Sequence, residues 1–339
     1  MSPRWHSTPA QSDSDDLQFA TPRVPSIDSI NHAANPIYFG NIITPPSLWT
    51  VKNDQPSNTA RLIARCTIFA SKDPELSKLI PEGSTKTLQQ ILSNDLFCKG
   101  LQFGFFRRML KLGEHLLLPG IIAHYLTRKI HIEQEVESAI AAGCRQVVMI
   151  GAGYDTMAWR LHQKHPDVRF VEIDHPATQK LKSSRLSYRQ NLIFEAMDLE
   201  RDLPIPGTVQ CPSGTVFIIE GVTMYLRAEQ VSGLLQTVAS QAGQNGKVIW
   251  TLMERDEQDG LGFRGQSSLV SRWLKFRSEP FRWGLSRDQI NDFSAGCHLQ
   301  TKQTVDHQMM RERFLNRFGL QESPLAQGEL ICTSTPIPP

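Results

Sequence analysis

The sequence predicts an α/β fold with a doubly wound, mostly parallel sheet, and three observations predict it. Short, continuously apolar segments recur from residue 146 onward and alternate with helical patterns, as expected for strands covered on both faces. The first of them, QVVMI at Gln146–Ile150, runs through Gly151-Ala152-Gly153 straight into a helical segment. The second closes on Glu172-Ile173-Asp174, which sets a carboxylate 23 positions after Gly151, near the ~20 expected of an acid that bonds a ribose.

The elements follow in order. Residues 1–35 are rich in Ser, Pro and Asp without apolar period, and a disordered leader is expected there. A single domain is expected over 36–339. Its first part, 36–145, is a helical layer. Ala60, Ile63, Ala64, Thr67 and Ile68 share one helical face, and further helical regions cover Leu88–His115 and Gly120–Ala142. The core, 146–255, adds strands at Val168–Ile173, Leu192–Glu195, Thr215–Glu220 and Lys247–Met253. Its helices are expected at Thr156–His165, Ala177–Arg189 (with Pro176 suited to the first turn) and Ala228–Gln241. The last part, 256–339, opens with a Gly-rich stretch and an aromatic segment containing Trp273, Phe276, Phe281 and Trp283, expected to form a lid over about 256–285. Ser286 then caps a helix to about Ala295, and Glu329–Cys332 is the final strand candidate.

Composition sets several classes aside. The 339 residues are 40% hydrophobic and 21% charged, with a net charge of +2, too small for an electrostatic nucleic-acid surface. No apolar run approaches the ~18 residues of a membrane span. The first residues are polar and acidic, unlike a secretory signal. Six cysteines lie far apart with no Cys-x-x-Cys pair, so a reduced, cytoplasmic setting is expected, with neither a metal site nor a disulfide framework.

The chemistry belongs to the Gly151–Asp155 turn. Glycines there let a ligand approach the backbone, and the following helix offers unpaired N–H groups. With the second strand and its terminal acid, the unit points to an adenosine-containing cofactor. A dinucleotide fingerprint wants a third glycine at the helix start, but Thr156 stands there, and Asp155 is a poor neighbour for a pyrophosphate. S-adenosyl-L-methionine has a cationic sulfur and no phosphate, and it is the favoured cofactor over NAD.

Three blocks together, Gly151-Ala-Gly-Tyr-Asp-Thr-Met-Ala-Trp-Arg-Leu161, Val171-Glu-Ile-Asp-His-Pro176 and Glu220-Gly-Val-Thr-Met-Tyr-Leu226, resemble the signatures of the leucine carboxyl methyltransferase-like family. The resemblance spans about Thr59 to Cys332 and implies a Rossmann-like class I sheet and S-adenosylmethionine-dependent O-methylation. It implies that Arg128 pairs with the donor's carboxylate, that Gly151 and Gly153 line its methionine end and that Asp174 holds the ribose. It further implies that Asp198 and Leu199 flank the adenine, with Glu220 beneath the donor and Tyr225 toward the acceptor. Met157 stands where many members carry Arg, and Arg-Lys-Ile-His-Ile-Glu replaces a common Arg-Thr-Arg-x-x-Asp. The Cys-Lys block of the phosphatase-methylating members is not found, so the expected acceptor is a small molecule, in secondary-metabolite biosynthesis. A protein C-terminus, a modified tRNA base or a non-catalytic binding role are the alternatives. No nucleic-acid or membrane partner is expected.

A hydroxyl acceptor needs a general base and a carboxylate needs none. His131 and His175 are the nearest histidines, with His131 and Tyr225 the candidate catalytic residues, although a capping or surface role suits a lone histidine as well.

Overall fold

The computed structural model describes residues 56–337 apart from 188, 200–213, 244, 259 and 277–278. The expected leader, residues 36–55 of the expected domain, Cys211 and the side chain of Trp273 lie outside the described residues.

The strands form because β-branched and apolar residues fill both faces. β1 (Gln146–Ile150) is buried at all five positions, as is β4 (Thr215–Ile219). Along β1, Val147 and Met149 face a core with Ile68, Leu126 and Leu161, while Val148 and Ile150 face a second core with Val231, Leu235 and Trp250. That alternation, with both sides covered, is what a doubly wound sheet requires. Each such side chain contributes about 1.5–3 kcal/mol on burial.

β2 (Arg169–Asp174), β3 (Leu192–Ala196) and β5 (Lys247–Glu254) complete a parallel set. The helices are α1 (Asn58–Ala70), α2 (Ser84–Ile91), α3 (Leu96–Gly100), α4 (Gly104–Leu117) and α5 (Ile121–Ala141) before the sheet. Within it come α6 (Met157–Lys164), α7 (Pro176–Arg185) and α8 (Ala228–Gln241). After β5 follow α9 (Ser268–Phe276), the two-residue β6 (Gly284–Leu285), α10 (Ile290–Gly296), β7 (Leu299–Val305) and β8 (Glu329–Pro336). The strand order is β3-β2-β1-β4-β5-β8-β7, with β8 antiparallel to both neighbours and β6 paired to β5. This is the sheet of a Rossmann-like class I methyltransferase.

Two departures from expectation have physical causes. The helical region expected over Leu88–His115 is broken into pieces, because the Asp95 side chain accepts from Cys98 N (3.1 Å) and starts a new helix. β7 escapes notice in the sequence because it is an edge strand, LQTKQTV, with polar residues on its exposed side. The Ser286 cap is real: its backbone N–H donates to Gln289, and the 3₁₀ turn Arg287–Gln289 leads into α10.

Candidate active site

The carboxyl ends of β1 to β4 open into one cavity of about 980 Å³, lined also by residues of α1 and by Phe276, Glu279, Pro280 and Arg282. Strand order reverses between β1 and β4, and ligands of open α/β sheets bind at such a switch point.

The turn after β1 forms the floor. Gly151 has φ +72°, and a Cβ there would lie 2.2 Å from Val222 Cγ2, so only glycine lets the β1 and β4 loops meet. Gly153, at φ +52°, donates its N–H to Asp174 Oδ2 (2.7 Å), while His175 N donates to Asp174 Oδ1 (2.8 Å). Asp174 therefore stays at the cavity wall, fixed from two sides, with lone pairs left on both oxygens. Burial pushes its carboxyl above the ordinary range, against the pull of Gly153 N and Lys182. The N-cap of α7 is His175, whose Nδ1 accepts from Ala177 N (3.3 Å), and this frees Asp174 from that duty.

Beside the turn runs a buried ladder of charge. Arg128 of α5 donates from Nη1 to both oxygens of Glu329 (2.8 and 2.6 Å) and from Nε to Glu220 (2.8 Å). Its guanidinium lies 5.0 Å from the Tyr125 ring centroid. Lys129 bridges Glu220 (3.0 Å) and Asp155, and Asp155 also accepts from Met157 N (2.5 Å). Burial would raise the Asp155 carboxyl, but Lys129 and Lys182 outweigh it and bring it down to about 2. Glu329 is treated alike: burial raises it, while Arg128 and His124 (Nε2 at 2.7 Å) lower it to about 2.

Of the residues singled out in the sequence, Arg128, Gly151, Gly153, Asp174, Asp198, Leu199, Glu220 and Tyr225 all line this cavity. His175 lines it too, as a helix cap. His131 does not. It is buried in the α5 core 6.3 Å from the Phe314 ring, and burial holds its imidazole below the usual range. The residues the sequence did not point to are Lys129, His124, Glu329 and Glu279. Glu329 opens the last strand, 201 positions from Arg128, a distance across which one sequence carries no signal. Lys129 adjoins Arg128 and could have been found as its neighbour.

Glu279 closes the opposite wall. Its carboxylate accepts from Ser57 Oγ (3.4 Å), Asn58 N (3.3 Å), Thr59 N (3.2 Å) and Thr59 Oγ1, capping α1 across more than 200 residues. Tyr225 hydrogen-bonds Thr59, and burial raises its hydroxyl above the ordinary phenol range, ahead of the opposing pull of that bond. At neutral pH it is an O–H group, not a phenolate.

The residues present fit S-adenosyl-L-methionine better than a dinucleotide. Asp155, Asp174, Asp198 and Glu220 all face the cavity, and both α5 cations beside the turn are already matched by carboxylates. Such a wall suits a cationic, phosphate-free ligand.

Fold and site thus define a protein with the class I methyltransferase fold and one cavity at the switch point of its sheet. The leucine carboxyl methyltransferase family model matches residues 71–239, about half of the chain. A Mycobacterium tuberculosis protein provisionally named as an S-adenosyl-L-methionine-dependent methyltransferase is 29% identical over 282 residues, 77% of this chain and 78% of its own. Relatives given the same provisional name in Streptomyces avermitilis and Bacillus subtilis are 30% and 27% identical over 45% and 46% of this chain. Those two matches span 57% and 54% of the relatives, a little over half their length. Human N-acetylserotonin methyltransferase, solved with S-adenosylmethionine, is 12% identical, with a TM-score of 0.38 over 76% of this chain and 68% of its own. An O-methyltransferase from neocarzinostatin biosynthesis overlaps 82% of this chain and 70% of its own at 13% identity and a TM-score of 0.40. Among the described residues, no helix is long and apolar enough to cross a membrane.

Proposed function

We propose that the protein is an S-adenosyl-L-methionine-dependent methyltransferase that methylates an oxygen of a small, largely apolar molecule. The observation that carries this reading is the convergence of Gly151, Asp174 and Glu220 on one cavity whose other half is apolar, with Ile63, Leu88, Leu126 and Phe276 on its walls. When bound, the donor supplies an electrophilic methyl group on a cationic sulfur.

Asp174 would accept from the ribose hydroxyls, Gly151 and Gly153 would admit the methionine portion, and Asp198 with Leu199 would flank the adenine. Glu220 would take the ammonium group. Arg128 is spoken for at both ends by Glu220 and Glu329, so its part in this reading is to hold Glu220 in place. Lys129 also lines the cavity and is less deeply buried, although it too is paired, with Asp155 and Glu220, so the donor's carboxylate would have to displace one of these carboxylates from either cation.

Among the described residues the site presents no activated nucleophile, and this reading needs none, because the chain's contribution is orientation and exclusion of water. With His131 outside the cavity, the Nδ1 of His175 taken up by Ala177 N and Tyr225 protonated, the site favours an acceptor oxygen that is already ionised, such as a carboxylate or an acidic phenol. Tyr225, tied to Thr59 and through it to Glu279, would then orient the acceptor.

Titration calorimetry with S-adenosyl-L-methionine and, separately, NADH tests the donor. Micromolar binding of the first with silence from the second is expected. Binding of NADH alone would overturn the reading, and silence from both would favour a non-catalytic binding role. A positive titration then opens a screen of apolar carboxylates and phenols for methyl transfer.

A further inference from the structure

α4 carries apolar residues on two faces, and only one of them meets the protein. Phe106 and Leu110 pack inward against the core beneath. Phe105, Met109, Leu112 and Leu116 are 75%, 55%, 59% and 67% exposed, and their spacing of four, three and four residues aligns them as one outward stripe. Large side chains this exposed in a row, rather than scattered, mark a surface that meets something apolar. The stripe continues beyond the helix: Ser267 N donates to Leu117 O (2.9 Å), which brings in α9 with its exposed Leu269 and ends at Phe276, 82% exposed at the cavity wall.

The charges beside the stripe choose between partners. Arg108, Lys111 and His115 lie on its polar flank, all exposed, and Arg272 is exposed on α9. The single carboxylate of α4, Glu114, is turned to the backbone of Gly120 (3.0 Å) and Ile122 (3.5 Å). Asp73 beneath accepts from Lys111 (2.9 Å) and Glu75 also lies near it, which leaves Arg108 as the flank's cation, joined by Arg272 of α9. A second copy of the chain docked through the same stripe would set Arg108 near its own counterpart. An anionic lipid surface satisfies both features at once, taking Phe, Met and Leu into the acyl boundary and the cations at the headgroups. At 14 residues the helix lies on such a surface and is too short to cross it.

We propose that the α4 face, continued by α9, docks the protein on an anionic membrane surface with the cavity mouth at its edge. The surface is separate from the donor site, and its test does not read methylation. Full-length protein is sedimented with phosphatidylcholine vesicles, with and without phosphatidylserine. Binding is expected with phosphatidylserine and to weaken with salt. Leu112→Asp and, independently, Arg108→Glu should each reduce it about tenfold or more, while thermal midpoints stay within a degree or two of wild type, because both side chains are exposed. Failure to sediment with either vesicle, or equal binding by wild type and both variants, overturns the proposal. A concentration-dependent dimer that Leu112→Asp dissolves also overturns it and assigns the face to a second copy.

Discussion

The two halves of the cavity are built on different principles. The half proposed for the donor hangs from the carboxyl ends of β1, β2, β3 and β4, where Asp174 is held by Gly153 and His175 and Gly221 by Thr251 (2.9 Å), while Glu220 and Asp155 are held from α5 by Arg128 and Lys129. The half proposed for the acceptor is lined by α1, Tyr225, Phe276, Glu279, Pro280 and Arg282, and Glu279 ties its side to α1. The floor is thus set by strand register and the wall by one carboxylate on a helix N-terminus. The contrast fits the proposed reading, in which the floor receives the donor and the wall the acceptor.

The largest expected effect tests the floor. Removing the carboxylate in Glu329→Ala leaves Arg128 buried with half its partners, which should cost about 3–5 kcal/mol in urea unfolding. The pH dependence gives a sharper form. The folded pKa of Glu329 is depressed from 4.5 to about 2, so its contribution is present above pH 4.5 and lost as pH falls toward 2. That loss is about 3 kcal/mol. Wild type should show it on acid titration, and Glu329→Gln, although destabilised, should show a correspondingly flatter limb. Equal slopes would mean that the Arg128 pair does not hold in solution.

Gly151→Ala is next. Forcing a Cβ to φ +72° and into Val222 should destabilise by about 2–4 kcal/mol and abolish donor binding by calorimetry. Val222→Ala in the same chain should restore part of the stability, since only the clash is relieved. Third, Asp174→Ala should weaken S-adenosyl-L-methionine binding by about 1.5–3 kcal/mol, the worth of a hydrogen bond to a charged group. Unchanged affinity would remove the ribose role.

The smallest effect probes the wall. Glu279→Gln should cost only about 0.5–1 kcal/mol of stability, the loss of an anion at a helix N-terminus, and leave donor affinity alone. Once an acceptor is in hand, its KM should rise more than kcat falls. A change in donor affinity instead would erase the distinction between the two halves.

Much of this was legible in the amino-acid sequence. The buried strands announce themselves because parallel sheets demand continuous apolar runs, and β1 and α8 fall where the pattern puts them. The glycine turn and Asp174 are readable because strand, turn, helix and strand follow one another within about thirty residues, so local order dictates spatial neighbourhood. His131 misled for the opposite reason. Its position on α5 three residues after Arg128 puts it near the site in sequence, yet the helix directs it into the core against Phe314.

The sequence by itself thus determined the sheet, the cofactor turn and the acids at the strand ends, because each depends on contacts made within one or two elements. Only the tertiary structure decided where Arg128 spends its charge, which residue latches the cavity wall, and which face of α4 is left outside. Those depend on pairings such as Arg128 with Glu329 and Thr59 with Glu279, separated by 201 and 220 residues. Periodicity carries no record of such pairs, and the packing of the whole chain selects them.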